Sequence, residues 1–233
     1  MLSYYDKYFI ITNSISKIDH EYLKRLEDFY NELSNGLYYK MFKYKNITKS
    51  DIEFINKKYS ESIFYRDKRD TFSFIHDVFI GWLCEDYISL LFIKNGLETS
   101  YYDSCSRQLV THTPSKADLL VKNNNKTLAI EIVTNWPIRE NKTFWEINGY
   151  IDFRHNKLLN LINISKQHNV IILFFMPYSS SSFYAQVKEF SQYERVYANE
   201  FGGKSSLRVK LYDLLKNKKH VVETVNDIIH KLV

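Results

Sequence analysis

Cysteine, proline and glycine are all scarce in this 233-residue chain, which has 2 Cys, 3 Pro and 6 Gly. Cys84 and Cys105 belong to no CxxC pair, which argues against a zinc site and fits a reducing cytoplasm. Long hydrophobic runs are missing too. No segment approaches the length of a membrane-spanning helix, and the N-terminus, MLSYYDKYFIIT, lacks the apolar stretch of a secretory signal. Nor does one sign of charge dominate: 32 basic residues stand against 27 acidic ones, a net charge of +5. That balance permits contact with phosphates without requiring it. A nucleotide-binding phosphate loop is also lacking, because Gly202-Gly203-Lys204-Ser205-Ser206 does not complete the GxxxxGK[ST] spacing and no strand leads into it. It reads as a flexible loop. His112, His155, His168 and His220 form no metal-ligand spacing, and no Ser/His/Asp arrangement stands out.

What is present is ample apolar material, 45% of the chain, for one domain with an elaboration or two small domains. Aromatics are abundant, with 19 Tyr and 16 Phe. This richness, like that in Asn, Ile and Lys, fits an AT-rich genome and carries little functional weight.

The most informative segment is Lys116 to Trp136, KADLLVKNNNKTLAIEIVTNW. Ala117–Val121 and Leu128–Val133 are short, apolar and β-prone, and Asn123-Asn124-Asn125 between them tolerates the left-handed conformation of tight hairpins. With Asn123 facing Lys126 across a two-residue loop, Asp118 falls opposite Glu131 and Lys116 opposite Val133. Directly opposed residues share a face, with Cβ atoms roughly 5 Å apart. Two carboxylates so close repel each other, and burial raises the cost. A divalent cation offsets both effects, so the pair points to a metal site. The bland alternative for either acid is a structural ion pair with Lys116.

Around this hairpin the pattern predicts three regions. Residues 1–70 are helical and polar, with apolar residues near helical spacing over Ile18–Leu33 and a cap at Ser50 or Asp51. Tyr38–Lys45 alternates aromatic and basic residues and is a candidate groove-contacting or dimerising element. Residues 71–177 form the core: a long buried helix over Thr71–Asn95 ended by Gly96, a first strand within Glu98–Val110, the hairpin, and an irregular connection over Pro137–Gly149. A helix over Asp152–His168 and a strand over Val170–Met176, apolar throughout as in a strand buried on both faces, complete it. Residues 178–233 are expected to be helical, with helices over Ala185–Tyr193 and Leu207–Leu215 and an amphipathic helix from Val221 to Leu232. The class is α/β, with a mixed central sheet flanked by helices and helical additions at both ends.

This order resembles the PD-(D/E)XK nuclease superfamily over roughly Phe72 to Pro177: a helix bearing Glu85, then strands carrying Asp118 and Glu131, then a helix and a buried strand. The resemblance implies a restriction-endonuclease-like fold and a Mg²⁺ site, for which Mn²⁺ can substitute, on Asp118, Glu131 and Glu85. It also implies a lysine two residues after the second acid. Two positions depart from the motif: Ala117 stands where a proline precedes the aspartate, and Val133 stands where the lysine belongs. The hairpin register offers Lys116, opposite Val133, as the catalytic replacement. Lys126 faces away from Glu131, whereas Lys142, Arg154 or Lys157 can be brought to the site by the following helix.

The same resemblance implies a Mg²⁺-dependent endonuclease acting on double-stranded DNA, of the type II restriction kind, working as a cytoplasmic homodimer without a nucleotide cofactor. Arg139, Lys142, Arg154 and Lys157 are the candidate phosphate contacts, their alternative being a solvated face. An RNA endonuclease on the same core, or a non-catalytic nucleic-acid-binding protein on a decayed one, remains open, the latter because of Val133. Trp136, Phe144 and Trp145 are core residues by default, as is His76.

Overall fold

The computed structural model describes residues 2–33, 48–61, 70–101, 116–124, 126–139, 142–178, 182–187, 194–198, 204–210, 212–213, 221–222, 227 and 229–230. They fall into two compact units, residues 2–90 and the described residues from 91 onward. Tyr38–Lys45 and Cys105 lie outside the described residues.

The first unit holds α1 (Tyr4–Ile18), α2 (His20–Leu33), α3 (Lys49–Glu61) and most of α4 (Thr71–Lys94). Local chemistry sets their ends. Ser3 and Asp6 form a reciprocal capping box for α1. Asp19 interrupts the helical path and accepts the Tyr22 N–H at 3.0 Å, starting α2. Thr48 caps α3, with Asp51 as its reciprocal partner. Asp70 caps α4, and Gly96 ends it at φ +77°, where only glycine is unstrained. Inside the unit Tyr30 packs on Phe79 and Trp82, and its hydroxyl donates to the buried carboxylate of Asp86. His76 is a core residue, stacked on Tyr4 at 4.6 Å with Nδ1 2.8 Å from the Phe72 carbonyl.

The second unit is built on strands. In chain order these are β1 (Glu98–Tyr101), β2 (Leu119–Asn123), β3 (Lys126–Thr134), β4 (Pro137–Arg139), β5 (Lys142–Thr143), β6 (Tyr150–Arg154), β7 (Asn169–Phe175), β8 (Ser182–Gln186), β9 (Glu194–Ala198), β10 (Lys204–Lys210) and β11 (Val221–Val222). Two helices join them, α5 (Phe144–Asn148) and α6 (His155–Ile164). The central sheet runs β1-β2-β3-β7-β8-β11, and β3–β7 is its parallel pair. A parallel pair needs a crossover, and α6 lies on it. A second sheet, β6-β10-β9, is antiparallel throughout. The architecture is therefore α/β with a mixed central sheet.

One buried cluster joins the two sheets through α6. Ala129 of β3, Ile172 and Phe174 of β7, Leu158 and Leu161 of α6, and Ile151, Phe153, Leu207 and Val209 of the second sheet share it, with Val133 packed at its side. Each such leucine is worth about 1.5–3 kcal/mol when fully buried, enough to hold α6 against the sheet.

The expected helices after residue 178 are corrected in part, although Tyr212–Asp213, Asp227, Ile229 and His230 are helical as expected. Ser182–Gln186, Lys204–Lys210 and Val221–Val222 are strands. In β10 the pattern alternates, Leu207 and Val209 inward against Arg208 and Lys210, which is the period of a strand. Asp152-Phe153-Arg154 likewise ends a strand instead of starting a helix. It is fixed by cross-strand pairing, with Asp152 taking Arg208 in two hydrogen bonds of 2.8 Å. The loop expected at 202–206 gives way to β10 from Lys204.

Candidate active site

Asn124 takes φ 52°, the left-handed turn expected of it. The ladder then runs from Asn123↔Lys126 to Leu119↔Ile130, the register expected for the hairpin. One further rung would set Asp118 opposite Glu131, but the ladder changes there. Asp118 N–H donates to the Ile130 carbonyl at 2.9 Å, and Asp118 Oδ2 accepts the Ile132 N–H at 2.7 Å. An aspartate oxygen has replaced a main-chain carbonyl as the partner of a strand amide, as short polar side chains can. Such charge-assisted bonds are short and roughly twice as strong as neutral ones. Asp118 is thus tied to the strand that carries Glu131, one residue past it.

The first turn of α6 completes the arrangement. Lys157 Nζ lies 2.7 Å from Glu131 Oε1 and 3.9 Å from Asp118 Oδ1. Glu131 is buried at 6% exposure, whereas the Lys157 and Asp118 side chains keep 18% and 19% of theirs. One ammonium therefore meets both carboxylates at the margin of the core. The apolar face of α6 accounts for this. Leu158 and Leu161 are fully buried against β3 and β7, and Val133 packs into the same cluster. A lysine at 133 would place its charge in that packing. Valine lets α6 approach, and Lys157, beside Leu158, reaches across to the acids.

The recorded pairing does not reproduce the expected placement of Lys116 opposite Val133. The recorded β2–β3 pairs end at Leu119↔Ile130, so no rung holds Lys116 against Val133, and Lys116 is exposed. The cation on both acids is Lys157, which the sequence favoured chiefly as a phosphate contact. Arg154 is exposed at the start of α6. Lys142 is exposed on β5, and the register sets it opposite Arg139, of which only the backbone is described. Glu85 is half-buried on α4 in the helical unit. Its neighbour Asp86, not Glu85, is the deeply buried acid there, at 1% exposure. Trp136 and Trp145 are buried core residues.

No family model matches this sequence, and no curated protein matches it. Among the solved structures similar in part is Hjc, a Holliday junction resolvase of the archaeal hyperthermophile Archaeoglobus fulgidus, with TM-score 0.38 and 11% identity, covering 56% of this chain and 88% of that one.

Among the described residues no group of three or more His, Cys, Asp or Glu side chains is arranged to hold a metal ion. The two-carboxylate set is nevertheless the donor chemistry of Mg²⁺, which keeps several waters and takes one or two protein carboxylates beside substrate phosphates. Two features of the site had no signal in the sequence. The Ile132 amide that fixes Asp118 is main chain. Asn135, at the exit of β3, accepts the Trp136 N–H on Oδ1 at 2.9 Å, and its buried Nδ2 has no hydrogen-bond partner among the described residues. Nearby, Glu146 accepts from Thr143 and Tyr178; burial first, and then the Glu146 charge, push the Tyr178 hydroxyl up to about 12.

Proposed function

We propose that this chain is a metal-dependent endonuclease that hydrolyses phosphodiester bonds in double-stranded DNA. The observation that supports it best is the single ammonium shared by Asp118 and Glu131. Two acids gathered on one cation, partly open to solvent, mark a place where positive charge is required. Asp118 and Glu131 would hold Mg²⁺; Glu85, the further carboxylate implied by resemblance to the PD-(D/E)XK nucleases, belongs to the other unit. A bound Mg²⁺ supplies Lewis-acid charge at the scissile phosphate. The chain's own residues do the positioning. The Ile132 amide holds Asp118 Oδ2, so that Oδ1 is the oxygen turned toward Lys157. Lys157, with three ammonium donors, orients the attacking water or steadies a phosphate oxygen, the task a lysine at 133 would have performed. Water attacks phosphorus, the P–O bond to the leaving group breaks, and the departing oxygen takes up a proton.

Restriction-type recognition and a homodimer carrying two such sites are the finer form of this reading. Val133 favours a second one, a nucleic-acid-binding protein without cleavage, and Lys157 is the answer to it. Incubation with plasmid DNA and with RNA, in Mg²⁺ and in EDTA, separates the two. Mg²⁺-dependent DNA fragments are expected. Cutting of RNA alone, or binding without any cutting, would overturn the proposal. Lys157→Met should slow cleavage by at least about 100-fold, the lower end for a positioned proton-handling or charge-stabilising group. Lys116→Ala should leave the saturated rate intact. The reverse pattern would return the catalytic role to Lys116.

A further inference from the structure

Topology brings several cations to one end of the central sheet. β3 and β7 are parallel, and α6 leads through a short turn into β7, so α6 starts at the end where these strands finish. The contact between Lys157, in its first turn, and Glu131 agrees with this. β2 is antiparallel to β3 and begins at that same end, at Leu119, three residues after Lys116. The β4–β5 hairpin follows β3, starting at Pro137, three residues past Thr134. Lys116, Lys142 and Arg154, all exposed, therefore come from three separate segments to the end of the sheet that holds Asp118 and Glu131.

The β4–β5 register sets the Arg139 backbone opposite Lys142, which is exposed. Glu140 is the one acid of the hairpin sequence. At its base, by contrast, Trp136, Thr143 and Trp145 are buried. The hairpin is thus rooted in the core while Lys142 is exposed.

We propose that this end of the sheet is a docking rim for the backbone of double-stranded DNA. Lys116, Lys142 and Arg154 take up phosphates flanking the one presented to Asp118 and Glu131. The proposal rests on the nuclease reading and assigns it a substrate path.

The test is duplex binding in EDTA, measured by fluorescence anisotropy across a range of salt concentrations. Lys116→Ala/Lys142→Ala/Arg154→Ala is compared with a control, Lys17→Ala/Lys24→Ala/Lys49→Ala, built on exposed lysines of the helical unit. Both variants remove three charges, and thermal melts check that both fold. Each lost phosphate contact lowers the salt dependence by about 0.9, so the rim variant should lose about 2.7 and the control should stay near the wild-type slope. Equal slopes in the two variants, absence of duplex binding by the wild type, or preferential loss of RNA binding would each overturn the rim. Mg²⁺-dependent cleavage by the wild type, run in parallel, tests the nuclease reading separately. Cleavage with an unchanged slope sinks the rim alone, and a rim slope without cleavage sinks the nuclease alone.

Discussion

Among the described residues, Asp86 of the helical unit and Glu131 of the sheet unit are buried carboxylates satisfied in different ways, and the sheet unit also buries Asp152 against Arg208. In the helical unit Asp86 is 1% exposed and accepts the hydroxyl of Tyr30, itself 2% exposed and packed among aromatic rings. In the sheet unit Glu131 is 6% exposed and faces the Lys157 ammonium, which also reaches Asp118. A hydroxyl on an acid is a clamp: it joins α2 to α4 across 56 residues and needs nothing from solvent. An ion pair is a poor clamp, because desolvating two charges offsets most of their attraction, and an apolar pair of the same volume serves stability as well or better. Adding a second acid to the same ammonium increases that cost. A structural role suffices for Asp86, whereas the trio of Asp118, Glu131 and Lys157 fits the site proposed above.

The contrast is sharpest in cleavage. Asp118→Asn and Glu131→Gln should each lower Mg²⁺-dependent cleavage by at least about 10³-fold, equivalent to about 4 kcal/mol of transition-state stabilisation, while Asp86→Asn stays within about twofold per folded molecule. Single-turnover plasmid nicking reads both, and equal losses at the two places would erase the distinction. A smaller effect lies on the stability side. Tyr30→Phe strands a buried carboxylate without its hydroxyl donor and should cost about 1–3 kcal/mol. The urea midpoint would show it, with the cleavage rate of the folded fraction unchanged. A Tyr30→Phe protein as stable as the wild type would mean that the clamp does not hold the helices.

The smallest effect is at high pH. Tyr178 keeps its proton in the fold up to about 12, against about 10 in an unfolded chain. The folded state therefore binds more protons between those values, and stability from this group, whole below pH 10, is lost as pH rises toward 12. Tyr178→Phe should flatten that part of the stability profile, and a profile of unchanged slope would remove Tyr178 as its source.

The hairpin was legible in the sequence because its signals are local. Three asparagines set the turn, alternation set the faces, and the register followed from Asn123 as far as Leu119. The deviation at Asp118 was not legible, since it depends on one carboxylate competing for a main-chain amide. Lys157 was readable as a residue flanking the apolar stripe of Leu158 and Leu161, but its target became plain only once α6 lay on β3. The strands after residue 178 were misread because short segments such as Ser182–Gln186 suit either period, and their pairing partners lie far away in sequence. Val221–Val222, for instance, is a strand through its pairing with Ser182 and Phe183.

The bond from the Ile132 amide to Asp118 has a consequence for how the protein matures. The last link between β2 and β3 is made by the Asp118 carboxylate, whose Oδ2 accepts the Ile132 N–H while Oδ1 faces Lys157, so joining the two strands also positions Asp118 beside Glu131. A chain in which β2 has not yet joined β3 has no half-built centre to misuse. On the proposed reading, competence to cut would arrive together with the folded sheet, and a variant that loosens this link should lose both at once.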